Sequence, residues 1–359
     1  MSSSSLVTGF PGFIGRRLVA RLLEQGPDAR VIALVEPRML DAARPVAERI
    51  DSERIELIPG DITDRRLGLD SGDYDRLLGD VRLVFHLAAI YDLAVPLEVA
   101  QRVNVDGTGN VLDFCRAARD LERLAYVSTA YVAGRRTGVV YEHELVMGQG
   151  FKNHYESTKF QAEVWVREMQ GEVPTTILRP AIVVGDSRTG ETEKFDGPYY
   201  ILRAISRAQR LGRPVAQFGR ADAPFNVVPV DYVVDACVAA ATDPATLGQT
   251  LHLVDPDPLS AHDLVDLLSR EYGGRSPKGR VPPALVERSL RVERVRELFS
   301  GTPPESIAYL NHPVTYDARR TVDLLAPHEL KPPVFPEYAP AMVRFFREHE
   351  DDPALRPKR

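Results

Sequence analysis

The sequence predicts an α/β fold, a doubly wound parallel sheet with helices on both faces, and a smaller, mainly helical lobe toward the C-terminus. Three observations predict it. Short apolar runs alternate with amphipathic helical segments from the first residues onward, as in a parallel sheet covered on both sides. The first run, Leu6-Val7-Thr8, passes through Gly9-Phe10-Pro11-Gly12-Phe13-Ile14-Gly15 straight into a helix. Finally, 359 residues are long for a single core, and at Asp186 the composition shifts to a polar, loop-like stretch.

In the opening turn Gly9 lets the backbone leave the strand sharply. Gly12 has no side chain to hold a phosphate away, and Gly15 lets the helix pack closely on the sheet. The helix carries Phe13, Ile14, Leu18, Val19, Leu22 and Leu23 at helical spacing and halts at Gln25-Gly26-Pro27. Its free N–H groups and positive dipole end face the turn, an anion site suited to a dinucleotide pyrophosphate. The second strand, 30–35, is followed by Glu36, at about the twenty-residue distance where the dinucleotide fingerprint expects an acid. That context makes the sheet Rossmann-type rather than merely doubly wound.

The third strand, 54–59, ends in Gly60-Asp61-Ile62-Thr63, and the fourth, 81–89, runs into Ala88 and Ala89, small enough for a cofactor to pass at the sheet's switch point. His86 near that strand's end is expected to bond to backbone. A long helix over 95–118 is interrupted at Asn104-Val105-Asp106-Gly107-Thr108, where Asn104 is expected to have a structural hydrogen-bond duty. The fifth strand, 123–128, delivers Ser128-Thr129-Ala130-Tyr131 to its carboxyl end, where hydroxyls either cap a turn or line the ligand crevice. Tyr155-Glu156-Ser157-Thr158-Lys159 then opens a helix that puts phenol and ammonium on one face. A strand over 175–179 ends at Pro180, and 199–211 is helical. The stretch 225–232 returns to the sheet and starts a helix over 233–241, and 250–254 is a last strand. Beyond Ser260 the pattern is helical and proline-punctuated, closing in a charged, frayed tail over 348–359.

Composition narrows the function classes. A net charge of −6 argues against general nucleic-acid binding. The two cysteines, Cys115 and Cys237, lie in apolar helical patterns and form no disulfide framework, consistent with a reducing compartment. There is no membrane-length apolar run, no signal-peptide pattern and no metal-ligand spacing, so a cytoplasmic enzyme without a metal is expected.

Three features meet at one place: the pyrophosphate turn, the hydroxyls after the fifth strand, and Tyr-x-x-x-Lys on the next helix. Hydride transfer to a carbonyl builds negative charge on oxygen, which must be protonated. A free tyrosine, with a pKa near ~10, is a poor acid–base group at neutral pH. A nearby lysine cation, together with the positive oxidised nicotinamide, is expected to stabilise the phenolate and bring the pKa toward working range. Thr129 or Ser128 then holds the substrate oxygen while Tyr155 donates the proton.

At these residues the chain resembles the extended short-chain dehydrogenase/reductase superfamily over essentially all of 6–255. Within it the chain is similar to the fatty acyl-CoA reductase and thioester reductase branch, the male sterility type of NAD-binding domain. That likeness rests on Gly60-Asp61-Ile62-Thr63 with Leu67-Gly68-Leu69, Val127-Ser128-Thr129-Ala130-Tyr131-Val132, Arg179-Pro180, Gly185 to Gly190, and Val228 to Asp235. The resemblance implies Thr129, Tyr155 and Lys159 as the catalytic set with Ser128 beside it. It also implies that Asp61 and Ile62 flank the adenine, that Ala88 and Ala89 pass near the cofactor, and that Pro180 lies near the nicotinamide. Gly9, Phe10, Pro11, Gly12, Phe13, Ile14, Glu36, Arg38, Asn104, Tyr155 and Lys159 complete the cofactor set. One departure matters: where the branch usually carries an arginine for the 2′-phosphate of NADP, this chain has Glu36, which favours NAD. Arg38 and Arg44 lie close enough to offer charge, and the balance leans to NADP with NAD close behind.

The reading is an NAD(P)H-dependent reductase acting on an apolar acyl thioester, aldehyde or ketone, the substrate free or bound to CoA or a carrier protein, with a homodimer left open. A nucleotide-sugar epimerase or dehydratase shares the fold and the Thr-Tyr-Lys set, and a non-catalytic dinucleotide-binding redox sensor is the alternative from another class. The dinucleotide domain is expected over 1–186 plus about 225–255, and the substrate lobe over 187–224 plus 256–359. In that lobe Phe195, Tyr199, Tyr200, Ile201, Phe218 and Phe225 either offer apolar surface to the substrate or form the lobe's own core.

Overall fold

A computed structural model describes residues 4–92, 94–282, 285, 288 and 304–356. Apolar, β-branched runs form β1 (Ser4–Thr8), β2 (Arg30–Val35), β3 (Ile55–Pro59), β4 (Val81–His86) and β5 (Arg123–Val127). Between them run α1 (Phe13–Leu23), α2 (Leu40–Asp51), α3 (Ser71–Asp80), the short α4 (Leu97–Ala100) and α5 (Gly107–Ala117). The second half adds β6 (Gly138–Val140), α6 (His154–Glu168), β7 (Thr175–Pro180), β8 (Ile182–Val184), α7 (Tyr199–Arg210), β9 (Val227–Pro229), α8 (Val230–Thr242) and β10 (Thr250–Leu253). The C-terminal part contributes α9 (Ala261–Gly273), β11 (Val314–Tyr316), α10 (Arg319–Leu325) and α11 (Phe335–His349).

Seven strands form one parallel sheet in the order β10-β7-β5-β4-β1-β2-β3. Strand order reverses between β1 and β4, and in an open α/β sheet ligands bind in the crevice outside the carboxyl ends at that point. Every residue of β5 and β7 is buried, as expected for central strands covered on both faces. Leu18, Val19 and Leu22 of α1 share a core with Ala43 and Ala47 of α2 and with α8. On the other face Leu77, Val111, Phe114, Ala162 and Val166 close α3, α5 and α6 against the sheet. Among the described residues no helix is long and apolar enough to cross a membrane.

Several expectations change. The segment 225–232 does not enter the main sheet: its strand, β9, pairs with β8 in a separate two-stranded sheet. The lobe expected to be helical contributes β11, which pairs in parallel with β6 from the other half of the chain. The interruption expected in the helix over 95–118 is a run of π turns at Gln101–Asp106 that continues into α5, so the chain stays helical from Leu97 to Ala117. The tail is not frayed as far as Arg356. Arg210 holds Glu350 at 2.7 Å and Asp351 at 3.1 Å, and the Phe195 N–H donates to the Leu355 carbonyl at 2.8 Å. The remainder of the tail, 357–359, lies outside the described residues, as does the stretch 289–303 of the expected lobe.

Candidate active site

The glycine turn is built from backbone contacts. Gly9 has φ +93°, and a Cβ there would stand 3.0 Å from the Ala88 nitrogen, so only glycine lets the turn lie this close to the end of β4. A Cβ on Gly15 would come within 2.5 Å of the Gly9 carbonyl oxygen. The Gly12 N–H donates to that same carbonyl, and α1 starts immediately after with no side-chain cap and no acid in its first turn. The helix's positive end is therefore left for an anion, and Gly12 is exposed there. Phe10 is buried in the core beneath the turn, while Pro11, Phe13 and Ile14 are half-buried along it. These residues fit a dinucleotide pyrophosphate.

Thr8, at the end of β1, ties the turn to β4: its Oγ1 accepts from the Leu87 and Ala88 N–H groups at 3.2 Å. His86 bonds to side chains rather than backbone. Thr108 donates its proton to the Asn104 carbonyl at 2.7 Å, so the His86 Nε2–H donates to Thr108 at 3.1 Å, and Nδ1 accepts from Thr8 at 2.8 Å. Burial, reinforced by Lys159, pushes its pKa down to about 3, leaving a neutral strut rather than a base.

Asn104 has the structural duty expected of it. Its Oδ1 accepts from the Ile90 N–H at 2.9 Å, and its Nδ2 donates to the Thr158 hydroxyl at 3.0 Å and the Ile90 carbonyl at 3.4 Å. The loop after β4 is thereby clamped to α6. At the end of β3, Asp61 accepts from the Thr63 N–H and its own N–H donates to the Leu67 carbonyl. Ile62 packs under Gly107, its carbonyl held by Asn110 at 2.7 Å. Glu36 is paired with Arg38, Oε1 to Nε at 2.5 Å, at the surface.

After β5 the two hydroxyls part company. Ser128 donates to Glu163 at 2.6 Å, deep beneath the site. Thr129 caps the turn at Tyr131, donates to the Pro180 carbonyl at 3.4 Å, and lies near enough to the Tyr155 phenol to favour its ionised form. Thr129 is thus the neighbour of the Tyr155 phenol, whereas Ser128 is turned to Glu163. Lys159, one turn beyond Tyr155, is 3% exposed, donates to the Val127 carbonyl at 2.8 Å and lies 4.6 Å from the Tyr126 ring centre. Burial pushes Lys159 down to about 7, against the opposing effect of Glu163. Burial also raises Tyr155 to about 12, with Thr129 pulling the other way. Without a bound nicotinamide, burial sets the phenol's pKa, and Lys159, with a pKa of about 7, is charged for part of the time at neutral pH.

Sequence reasoning missed a buried hub. Glu163 receives Arg179 at 2.6 Å and Arg167 at 3.2 Å besides Ser128, and the arginines and hydroxyl hold its carboxyl below the usual range despite burial. Its position one turn past Lys159 was the available signal. It also missed Tyr309, whose hydroxyl donates to Glu156 at 2.9 Å and accepts from Asn153, the N-cap of α6, at 2.8 Å. No local pattern links Tyr309 to that helix. Of the lobe's aromatic set, Phe195, Tyr199, Ile201 and Phe225 are buried in the lobe's own core, while Tyr200 and Phe218 keep partial exposure.

Comparison with known proteins bears on the family and the fold. A model of the male sterility protein family matches residues 7–237. A linear gramicidin synthase polypeptide of Brevibacillus parabrevis is 27% identical over 73% of this chain and 5% of its own length. Fatty acyl-CoA reductase 1 of Arabidopsis thaliana is 24% identical over 77% of this chain and 71% of its own. The chain thus spans a small fraction of the first relative and about seven-tenths of the second. Among solved structures, the terminal R domain from the myxalamid PKS-NRPS biosynthetic pathway superposes with a TM-score of 0.81 at 26% identity, covering 98% of this chain and 92% of that one.

Proposed function

We infer the function from the premise that the chain belongs to the male sterility protein family of NAD-binding domains, oxidoreductases of the extended short-chain dehydrogenase/reductase type. On that premise it is an NAD(P)H-dependent reductase of an acyl thioester, aldehyde or ketone, with Tyr155 as the proton donor. The observation that carries this reading is the meeting of the Tyr155 and Thr129 hydroxyls beside Pro180, with Lys159 one turn along the same helix. A reduced nicotinamide supplies the hydride when it is bound. Thr129 orients the carbonyl oxygen by hydrogen bond. Tyr155, with its pKa raised by burial, arrives protonated at neutral pH and gives that proton to the oxygen. Lys159 carries a positive charge part of the time at that pH and favours the phenolate left behind.

For the dinucleotide, Gly9 to Ile14 would take the pyrophosphate, Asp61 and Ile62 the adenine side, and Ala88, Ala89 and Pro180 the nicotinamide side. Asn104 acts through Ile90 and Thr158 rather than by its own contact. The lean to NADPH rests on Arg38 and Arg44, and it requires the Glu36–Arg38 ion pair to open so that Arg38 meets the 2′-phosphate. The division into a dinucleotide unit, 1–186 with about 225–255, and a substrate lobe remains part of this proposal, as does a thioester delivered on CoA or a carrier protein.

Loss of absorbance at the reduced-nicotinamide band, followed with acyl-CoAs, aldehydes, ketones and UDP-sugars, tests the reading. Tyr155→Phe is expected to cut turnover by at least ~10²-fold while sparing dinucleotide binding. Turnover of UDP-sugars and of no carbonyl substrate would place the chain with the epimerases. Dinucleotide binding without any turnover would favour the sensor. Titrating NADH and NADPH into wild type and Glu36→Arg decides the cofactor, and a strong NADH preference that switches on substitution would overturn the lean.

A further inference from the structure

Among the described residues, several apolar side chains expected to serve a long alkyl chain are consumed elsewhere: Phe195 is 0%, Tyr199 1% and Phe225 5% exposed, all inside the lobe's core. Among the described residues, Tyr91 is a large side chain left open beside Tyr155. It is 51% exposed, and its ring centre stands 5.1 Å from that of Tyr155 with the planes 87° apart. The two rings make a corner, one wall of which is the proton donor.

That corner is fixed. Ile90, the residue before Tyr91, is held through both its N–H and its carbonyl by Asn104, and the same amide grips Thr158 one turn into the helix that carries Tyr155. The backbone beneath Tyr91 and the helix beneath Tyr155 therefore share one clamp. The Tyr91 hydroxyl end is enclosed, and burial raises its pKa together with Asp196 and the phenols of Tyr155, Tyr131 and Tyr200, so a carboxylate as well as further phenols borders the corner. Tyr131 in turn packs edge-on against Tyr309 at 4.8 Å.

We propose that Tyr91 is a specificity-determining residue, and that the site selects a carbonyl compound whose acyl group carries an aromatic ring or other flat conjugated system next to the reacting carbon, over one with a saturated chain. This deepens the reductase reading and rests on it. A flat ring stacks on Tyr91 while its carbonyl reaches Thr129 and Tyr155. Aromatic pairing of this kind adds to plain area burial enough for a preference of roughly 3- to 10-fold. A saturated chain gains only area there and loses rotor freedom as it is ordered.

The test compares kcat/KM for cinnamaldehyde and octanal, and for benzoyl-CoA and hexanoyl-CoA, in wild type, Tyr91→Phe and Tyr91→Leu. Wild type and Tyr91→Phe are expected to favour the aryl member of each active pair by roughly 3- to 10-fold. Tyr91→Leu should bring that ratio to about 1, with the dinucleotide Kd from fluorescence titration unchanged. An unchanged ratio in Tyr91→Leu, or a wild-type preference for the saturated member, overturns the proposal. If no carbonyl compound is turned over at all, the reductase reading has failed, and binding of unreactive benzoate and hexanoate to the dinucleotide-loaded protein by saturation-transfer NMR decides the Tyr91 question separately. Selective benzoate binding that Tyr91→Leu abolishes supports the corner, and equal binding or none removes it.

Discussion

Lys159 holds an ammonium in a place where burial strongly disfavours it. Its folded pKa, about 7, lies below the ordinary 10.5, so between those values the unfolded chain binds more protons than the folded one. The cost of this lysine is fully present below pH 7, diminishes as pH rises, and is gone above about 10.5. Lys159→Met should therefore be more stable than wild type at pH 7, by a margin that shrinks toward pH 10, read from denaturant midpoints; a margin independent of pH would contradict this account. The neighbouring hydroxyls make a second contrast. Ser128→Ala strips one donor from buried Glu163 and should cost about 1.5–3 kcal/mol of stability with the dinucleotide Kd unchanged. Thr129→Ala should instead act mainly on turnover, and the reverse pattern would exchange their roles. The sequence placed both hydroxyls at the right strand end but left them undivided. Successive residues leaving a strand face opposite sides, and only packing decides which side is the crevice.

Helix α6 shows what an element's sequence reveals and what it hides. Its register, with Tyr155 and Lys159 one turn apart, was legible because helical spacing is local. The devices that fix its start were not. Asn153 caps the helix through the Glu156 N–H at 2.9 Å, and Glu156, fully buried, collects the Lys152 ammonium at 3.2 Å and the Tyr309 hydroxyl. Tyr309→Phe removes the hydroxyl shared by Glu156 and Asn153, and should cost about 1–3 kcal/mol and lower kcat more than it raises KM. Unchanged kcat in a variant of lowered Tm would make this contact structural only. The glycine turn lies at the opposite extreme. There the backbone requirement at Gly9 and Gly15 is written in residues a few positions apart, and so the anion site could be read directly.

Across the whole molecule, strand alternation indicated the parallel sheet, yet the small sheets β8–β9 and β6–β11 escaped notice because their strands are three residues long and pair across the chain. The same non-local construction buries three neutral histidines. Burial, aided by Lys159, Arg179 and Lys152 respectively, pushes His86 and His252 down to about 3 and His312 to about 4. The unfolded chain takes up protons on them below about pH 6.5 while the folded one does not, so their stability is present above that pH and is lost as pH falls toward 4. Each contributes a slope of up to about 1.4 kcal/mol per pH unit, and replacing His86 by Gln should flatten the fall in urea midpoint between pH 6 and 4. An unaltered slope would assign the acid sensitivity to other groups. The Tyr309–Glu156 bond has one more consequence, in time rather than space. Its partners are 153 residues apart, so at a ribosome's pace of ~5–20 residues per second roughly 8–30 s pass between the making of the start of α6 and the making of the tyrosine bonded to it. A nascent chain halted in that interval carries Thr129, Tyr155 and Lys159, the set proposed to donate the proton, and still lacks the Tyr309 contact at the start of α6.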